Sequence, residues 1–195
     1  MKSSRVRILT ECALMVALSA VLQIIPFFSL PAGGSITLAS MAPIVLAALR
    51  HGPKWGLLTS FACSLLQMLL GGISSPPTET LGWFVLVVLL DYLLAFTCLG
   101  LAPLFARPFS SSKAVGPAVG SVAVCFIRFL CHYLSGIIIW GVYAPEGQPV
   151  WLYSLNYNGS YMLVETILTT VVVVLLYGPL MRIDKKRPAA SGSGK

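Results

Sequence analysis

The sequence predicts an all-α fold: a polytopic membrane protein with a single bundle of six transmembrane helices and both termini cytoplasmic. Three observations carry this expectation. Of the 195 residues, 57% are hydrophobic and only 10% charged, with a mean hydropathy of +0.88, whereas a soluble domain carries about 25% charged residues. Apolar runs near the ~20 residues needed to cross the hydrocarbon core alternate with short polar breaks. Every Lys and Arg except Arg128 falls on one side of a six-helix arrangement, as orientation by cytoplasmic cations requires.

The first helix is expected over about 6–25, behind Lys2, Arg5 and Arg7, and stops at Pro26 before the uncharged, turn-rich FFSLPAGGS. It has no small-residue cleavage site and further spans follow it, so it reads as a retained helix and not as a signal peptide. The second helix is expected over about 36–50, ending at Arg50-His51-Gly52-Pro53-Lys54, and the third over about 55–71, before GGISSPPTET. The fourth covers about 80–105 and ends at Arg107, Pro108 and SSSK; the fifth covers about 114–141 and the sixth about 160–182, ahead of a basic tail. Residues 1–183 are thus expected to form one membrane domain, and residues 184–195 a flexible cytoplasmic tail.

The net charge of +7 is spread singly or in small groups beside apolar runs, which fits orientation by positive loops and sets nucleic-acid binding aside. Cys12, Cys63, Cys98, Cys125 and Cys131 are scattered through apolar segments with no CxxC and no His pair at ligand spacing. They read as small buried hydrophobes, so neither a metal site nor a disulfide framework is expected. The tail AASGSGK lacks the spacing of a phosphate loop, and no ATPase motif occurs elsewhere. Any ATP-driven step falls to another subunit.

Ionisable residues at membrane depth are costly and therefore mark function by default. Glu11, Asp91, Arg128, His132 and Glu165 qualify. Glu11 lies near the inner end of the first helix, where Arg7 at i−4 satisfies it. Asp91 lies roughly 17 Å and His132 roughly 12 Å below the outer helix ends at 1.5 Å per residue. Arg128, His132, Gly136 and Trp140 recur at i, i+4 and are expected to form one stripe on the fifth helix, with Gly136 leaving space between polar and aromatic groups. Above it, Trp151, Tyr153, Asn156, Tyr157, Asn158 and Tyr161 crowd what is expected to be an outer loop. An interfacial belt accounts for Trp and Tyr but not for the Asn beside them. A carboxylate, an imidazole, an indole and amides around one cavity suit a small, planar, cationic heteroaromatic ligand, through charge, cation–π contact and stacking. The bland alternative is an Asp91–Arg128 pair that locks two helices together and binds nothing. On the first helix, Ala13 and Ala17 make a small-xxx-small face that lets another helix approach closely.

The segments LTECALMVALSA, GGSITLASMAPIVLAALRHG, LLDYLLAF, RFLCHYLSGIIIWGVYAPEG and PVWLYSLNYNGSYML together resemble the thiamine-specific substrate-binding subunit, or S component, of bacterial energy-coupling factor (ECF) transporters. The resemblance covers nearly the whole chain and is most specific from Arg128 to Asn158. It implies a non-enzymatic, multi-pass protein of the bacterial plasma membrane that captures thiamine from outside with no cofactor. It also implies a transmembrane scaffold subunit, two ATPase subunits and surrounding membrane lipid as partners. Matched by residue, the binding acid falls on Asp91 with Tyr92 beside it, the imidazole on His132, the stacking indole on Trp140, and the polar contacts on Tyr153, Tyr157 and Asn158. Gly136 belongs to the same wall, and Arg128 falls on a basic residue below the pocket. Ala13 and Ala17 fall on the face that contacts the scaffold subunit. Some relatives carry Glu at the position of Asp91, so the shorter acid implies a shifted helix or a bridging water. Gly33-Gly34-Ser35 replaces an aromatic residue of the first outer loop, and Glu165 has no assigned counterpart. Alternatives are a related vitamin or thiamine precursor as cargo, a solitary permease relaying protons, or a lipid-modifying enzyme using Asp91 and His132 as acid and base.

Overall fold

The computed structural model of the chain describes residues 2–29 and 35–186, and six helices account for most of them. They are α1 (Lys2–Ile24), α2 (Ala42–His51), α3 (Pro53–Gly71), α4 (Leu81–Phe109), α5 (Val115–Ile138) and α6 (Val150–Lys186). Four of them, α1, α4, α5 and α6, are long and apolar enough to cross a membrane. A small antiparallel hairpin, β1 (Pro26–Ser29) with β2 (Ser35–Thr37), joins α1 to α2 and pairs Pro26 with Thr37 and Ser29 with Ser35. The all-α membrane bundle of six helices is as the sequence predicts.

Several boundaries differ, three of them for a clear local reason. The second helix begins at Ala42 and not near residue 36, because Pro43 fits only the first turn of a helix. Ala39 ahead of it adopts a left-handed φ of 55°. Ten residues at 1.5 Å each cover about 15 Å, half the ~30 Å hydrocarbon thickness, so the rest of this crossing is non-helical. The fifth helix ends at Ile138: the Ser135 carbonyl accepts from both Ile139 N (2.8 Å) and Trp140 N (3.3 Å), and Trp140 leaves the helical stripe. The sixth helix starts at Val150, directly after Pro149, whose carbonyl receives Leu152 N and Tyr153 N at 3.0 Å each. The expected outer loop of aromatics and amides is therefore the opening turns of α6. At its other end α6 runs to Lys186, into the segment expected as a tail. Residues 187–195 lie outside the described residues, as do Gly33 and Gly34.

The core centres on α2, whose residues Ala42 to Ala48 are all buried. Ile44, Val45 and Leu46 pack with Phe96 and Leu99 of α4, Val124 of α5 and Val173 of α6. A helix apolar on every side belongs in such a centre. Gly56 of α3 and Gly100 of α4 bring backbones into contact, since a Cβ on Gly56 would stand 2.6 Å from the Gly100 carbonyl oxygen. Leu14, Leu69, Leu81, Leu163 and Leu175 are more than 60% exposed, an outward apolar surface suited to lipid. Cys12, Cys63, Cys98 and Cys125 are buried thiols and Cys131 is half-buried.

At the end of the bundle where α1 starts and α2 stops, Glu11 collects two arginines and a histidine. It accepts from Arg7 Nε at 3.1 Å, lies 3.4 Å from Arg50 Nη2 and meets His51 Nε2 at 3.0 Å. The i−4 partner expected from the sequence is present, and two partners from α2 join it. Replacing Glu11 with Ala removes the shared acceptor. We predict about 2 kcal/mol lower stability, read as a lower melting temperature in detergent, with Glu146→Ala as the unaffected control.

Candidate functional site

Asp91 stands on an irregular piece of helix. Residues Val88–Leu94 form a π-helical segment within α4, and such wide turns recur at functional sites because they re-aim a side chain. Nothing in VLLDYLL signals it. The carboxylate points at α5 and receives three donors: His132 Nδ1 on Oδ1 at 3.1 Å, and Ser135 Oγ at 2.6 Å and Trp140 Nε1 at 3.0 Å on Oδ2. Ser135 also accepts from Trp140 Nε1 at 3.1 Å. Trp140 can reach Asp91 because the helix has ended two residues earlier and the indole folds back.

Arg128 lies one turn from His132 on α5 and donates from Nε to His132 Nε2 at 3.3 Å. With Nε2 accepting and Nδ1 donating to Asp91, the ring is the neutral tautomer that carries its proton on Nδ1. The Arg128 guanidinium carbon sits 4.1 Å over the Phe96 ring, a cation–π contact. Asp91 thus faces His132 and not Arg128, so the direct Asp91–Arg128 lock considered from the sequence does not form. The imidazole bridges the two charges instead.

The facing wall is α6. Tyr153, Tyr157 and Tyr161 recur at i, i+4, with ring centroids 5.9 and 6.1 Å apart, and Tyr161 meets the His132 ring edge-on at 6.3 Å. Asn158 is 7% exposed. Its Nδ2 donates to the His132 carbonyl and to Ser154, each at 3.2 Å, and its Oδ1 accepts from Tyr161 OH at 3.0 Å. It braces α6 against α5. Gly136 makes this closeness possible, since a Cβ there would collide with Ser154 Oγ and stand 2.8 Å from Asn158 Nδ2. The space left by Gly136 is filled by α6 side chains, not left open as the sequence reading supposed.

These groups enclose a cavity of about 560 Å³, the size of a small-molecule site. Asp91, Tyr92, Arg128, His132, Gly136, Trp140, Tyr153, Tyr157 and Asn158 all line it. Trp151 and Asn156 do not join them and are exposed. Sequence reasoning missed Ser35, Gln67, Ser74, Phe96 and Tyr143 on the lining, and Ser135 as a direct partner of Asp91. Tyr92 OH accepts from Ser74 N at 3.0 Å, tying the α3–α4 loop to the rim. Tyr143 stacks on Trp140 with centroids 6.3 Å apart. Only a signal such as the Ser135/Trp140 pairing around a helix end would have found these, and it is invisible without the fold. Ala13 and Ala17 lie elsewhere, in an apolar groove of about 340 Å³ between α1 and α3 lined also by Leu9, Val16, Leu58 and Leu66.

Comparison with known proteins finds relatives over most of the chain. The family model described as thiamine transporter protein matches residues 9–184. The thiamine transporter ThiT of Bacillus subtilis (strain 168) is 35% identical over 192 residues, covering 93% of this chain and 95% of its own. That of Lacticaseibacillus paracasei is 33% identical over 144 residues, 70% of each chain. Among solved structures, ThiT from Listeria monocytogenes superposes with a TM-score of 0.75 at 23% identity, over 92% of this chain and 98% of that one. The S component of a bacterial ECF transporter superposes with a TM-score of 0.61 at 17% identity, over 94% and 99%. These two likenesses bear on the fold.

A methyl group added at Gly136 forces α5 and α6 apart. Gly136→Ala is predicted to lower stability by about 1–3 kcal/mol, measured as thermal unfolding in detergent. Gly71→Ala, where an added Cβ meets nothing within 4 Å, is the neutral comparison.

Proposed function

The chain belongs to the thiamine transporter protein family, and we propose that its cavity captures thiamine for uptake across the bacterial plasma membrane. The observation that carries this reading is Asp91: a carboxylate 16% exposed, held by three donors at the edge of an aromatic-walled cavity in the membrane-spanning bundle. Thiamine is a cation built of two planar heteroaromatic rings. Asp91 supplies the counter-charge, and Trp140 with the α6 tyrosines supplies faces for stacking and cation–π contact. The bridging His132 keeps Arg128 from neutralising Asp91 directly, so the acid remains available to a cationic ligand.

The protein works in this reading as an S component, multi-pass, with both termini cytoplasmic. Arg5, Arg7, Arg50, Lys54, Arg107, Lys113 and Arg182 fall at helix ends on one side, while Glu79 and Glu146 fall on the other, which supports a cavity mouth that faces outward. The chain has no ATPase motif, so a transmembrane scaffold subunit and two ATPases supply the driving force. The apolar Ala13/Ala17 groove, with small residues on its α1 side, offers the scaffold a close helix–helix contact.

Titration of purified protein with thiamine is expected to give a saturable change in Trp fluorescence that is lost in Trp140→Ala. Asp91→Asn is expected to weaken binding about 10–100-fold, the worth of a charge-assisted contact; unchanged affinity would make the acid structural. Filling the groove with Ala13→Leu and Ala17→Leu is expected to abolish co-purification with ATPase subunits while thiamine affinity stays within about twofold.

A further inference from the structure

Between Ser35 and the start of α2 at Ala42 the chain passes through the bundle interior without helix. Irregular backbone at membrane depth persists only where protein groups or a wet cavity satisfy its N–H and C=O groups. Two side chains from other helices do so here. Glu165 of α6 is 4% exposed; its Oε1 accepts from the backbone N–H of Thr37 and lies 2.8 Å from the Thr37 hydroxyl. Ser19 of α1 donates to the Ser40 carbonyl at 2.7 Å. Thr37 Oγ1 also stands 2.7 Å from Ser40 Oγ and accepts from Ser40 N at 3.2 Å. One carboxylate thus organises the turn that starts α2.

The place of this carboxylate in the fold gives it a second consequence. Glu165 lies one helical turn beyond Tyr161, which lines the cavity, and Ser35 lines the same cavity two residues before Thr37. An ionisable residue so deep is costly where packing alone is needed. The hairpin edge that closes this side of the cavity is tied to the tyrosine-bearing helix at Thr37, through Glu165.

We propose that Glu165 is a positioning residue of the binding site. Through Thr37 it fixes β2 against α6, holds Ser35 at the cavity wall and so sets how long a bound ligand stays. This rests on the reading that thiamine is the ligand. The test is the dissociation rate of thiamine, followed by Trp fluorescence after a chase, in full-length variants shown to be folded and monodisperse. Glu165→Ala is expected to speed dissociation about tenfold or more, as loss of buried hydrogen bonds does. Glu165→Gln keeps an acceptor for the Thr37 N–H and is expected to restore a rate near that of the unaltered protein. Thr37→Val, which removes one of the two contacts, is expected to raise the rate by a smaller factor and serves should Glu165→Ala fail to fold. An unchanged rate in folded Glu165→Ala or Thr37→Val, or a Gln variant as fast as the Ala one, overturns the proposal. Absence of saturable thiamine binding to the unaltered protein would instead overturn the function on which it rests.

Discussion

A carboxylate inside a membrane must be surrounded by donors or neutralised, and that requirement at Asp91 orders the outer half of this bundle. His132, Ser135 and Trp140 are committed to it. To deliver them, α4 widens into a π-helical segment and α5 stops at Ile138 so that the indole can turn back. Arg128 is held one step away by the imidazole and spread over Phe96, so it does not pair with the acid directly. Asn158 and Ser154 then lock α6 onto α5 across Gly136, bringing three tyrosines into the same space.

A second carboxylate, Glu165, meets the same constraint differently. Its partners are backbone and hydroxyl groups of the non-helical part of the second crossing, which Pro43 prevents from being helix. One break in a helix therefore creates unsatisfied backbone, and one acid repairs it. A third acid, Glu11, answers the requirement at the cationic end of the bundle by pairing with Arg7, Arg50 and His51. Each of these three acids is thus satisfied by a different set of partners.

Much of this was legible in the residues. Apolar run lengths gave six helices, and Asp91, His132 and Trp140 stood out because polar and aromatic groups are scarce in so greasy a chain. Pro43 and Pro149 are cues to where α2 and α6 begin, but neither set the expected boundaries, and aromatic and amide density made the start of α6 look like a loop. What stayed hidden was whatever depends on three-dimensional neighbours. The π-helical turn has no composition signature, Ser135 is an ordinary small residue until an indole folds onto it, and the partner of Glu165 lies 128 positions away. Gly136 was singled out for room it leaves, whereas its consequence is the contact it permits.

In the proposed function, Asp91 recognises the charge of the ligand. The direct measurement compares thiamine with an isosteric analogue whose thiazolium ring is replaced by an uncharged one, by calorimetric titration of the unaltered protein and of Asp91→Asn. The account predicts that the unaltered protein prefers the cation by about tenfold or more and that Asp91→Asn reduces the preference to within about twofold, the coupling that a double-mutant cycle isolates. A preference that survives unchanged in Asp91→Asn would contradict it.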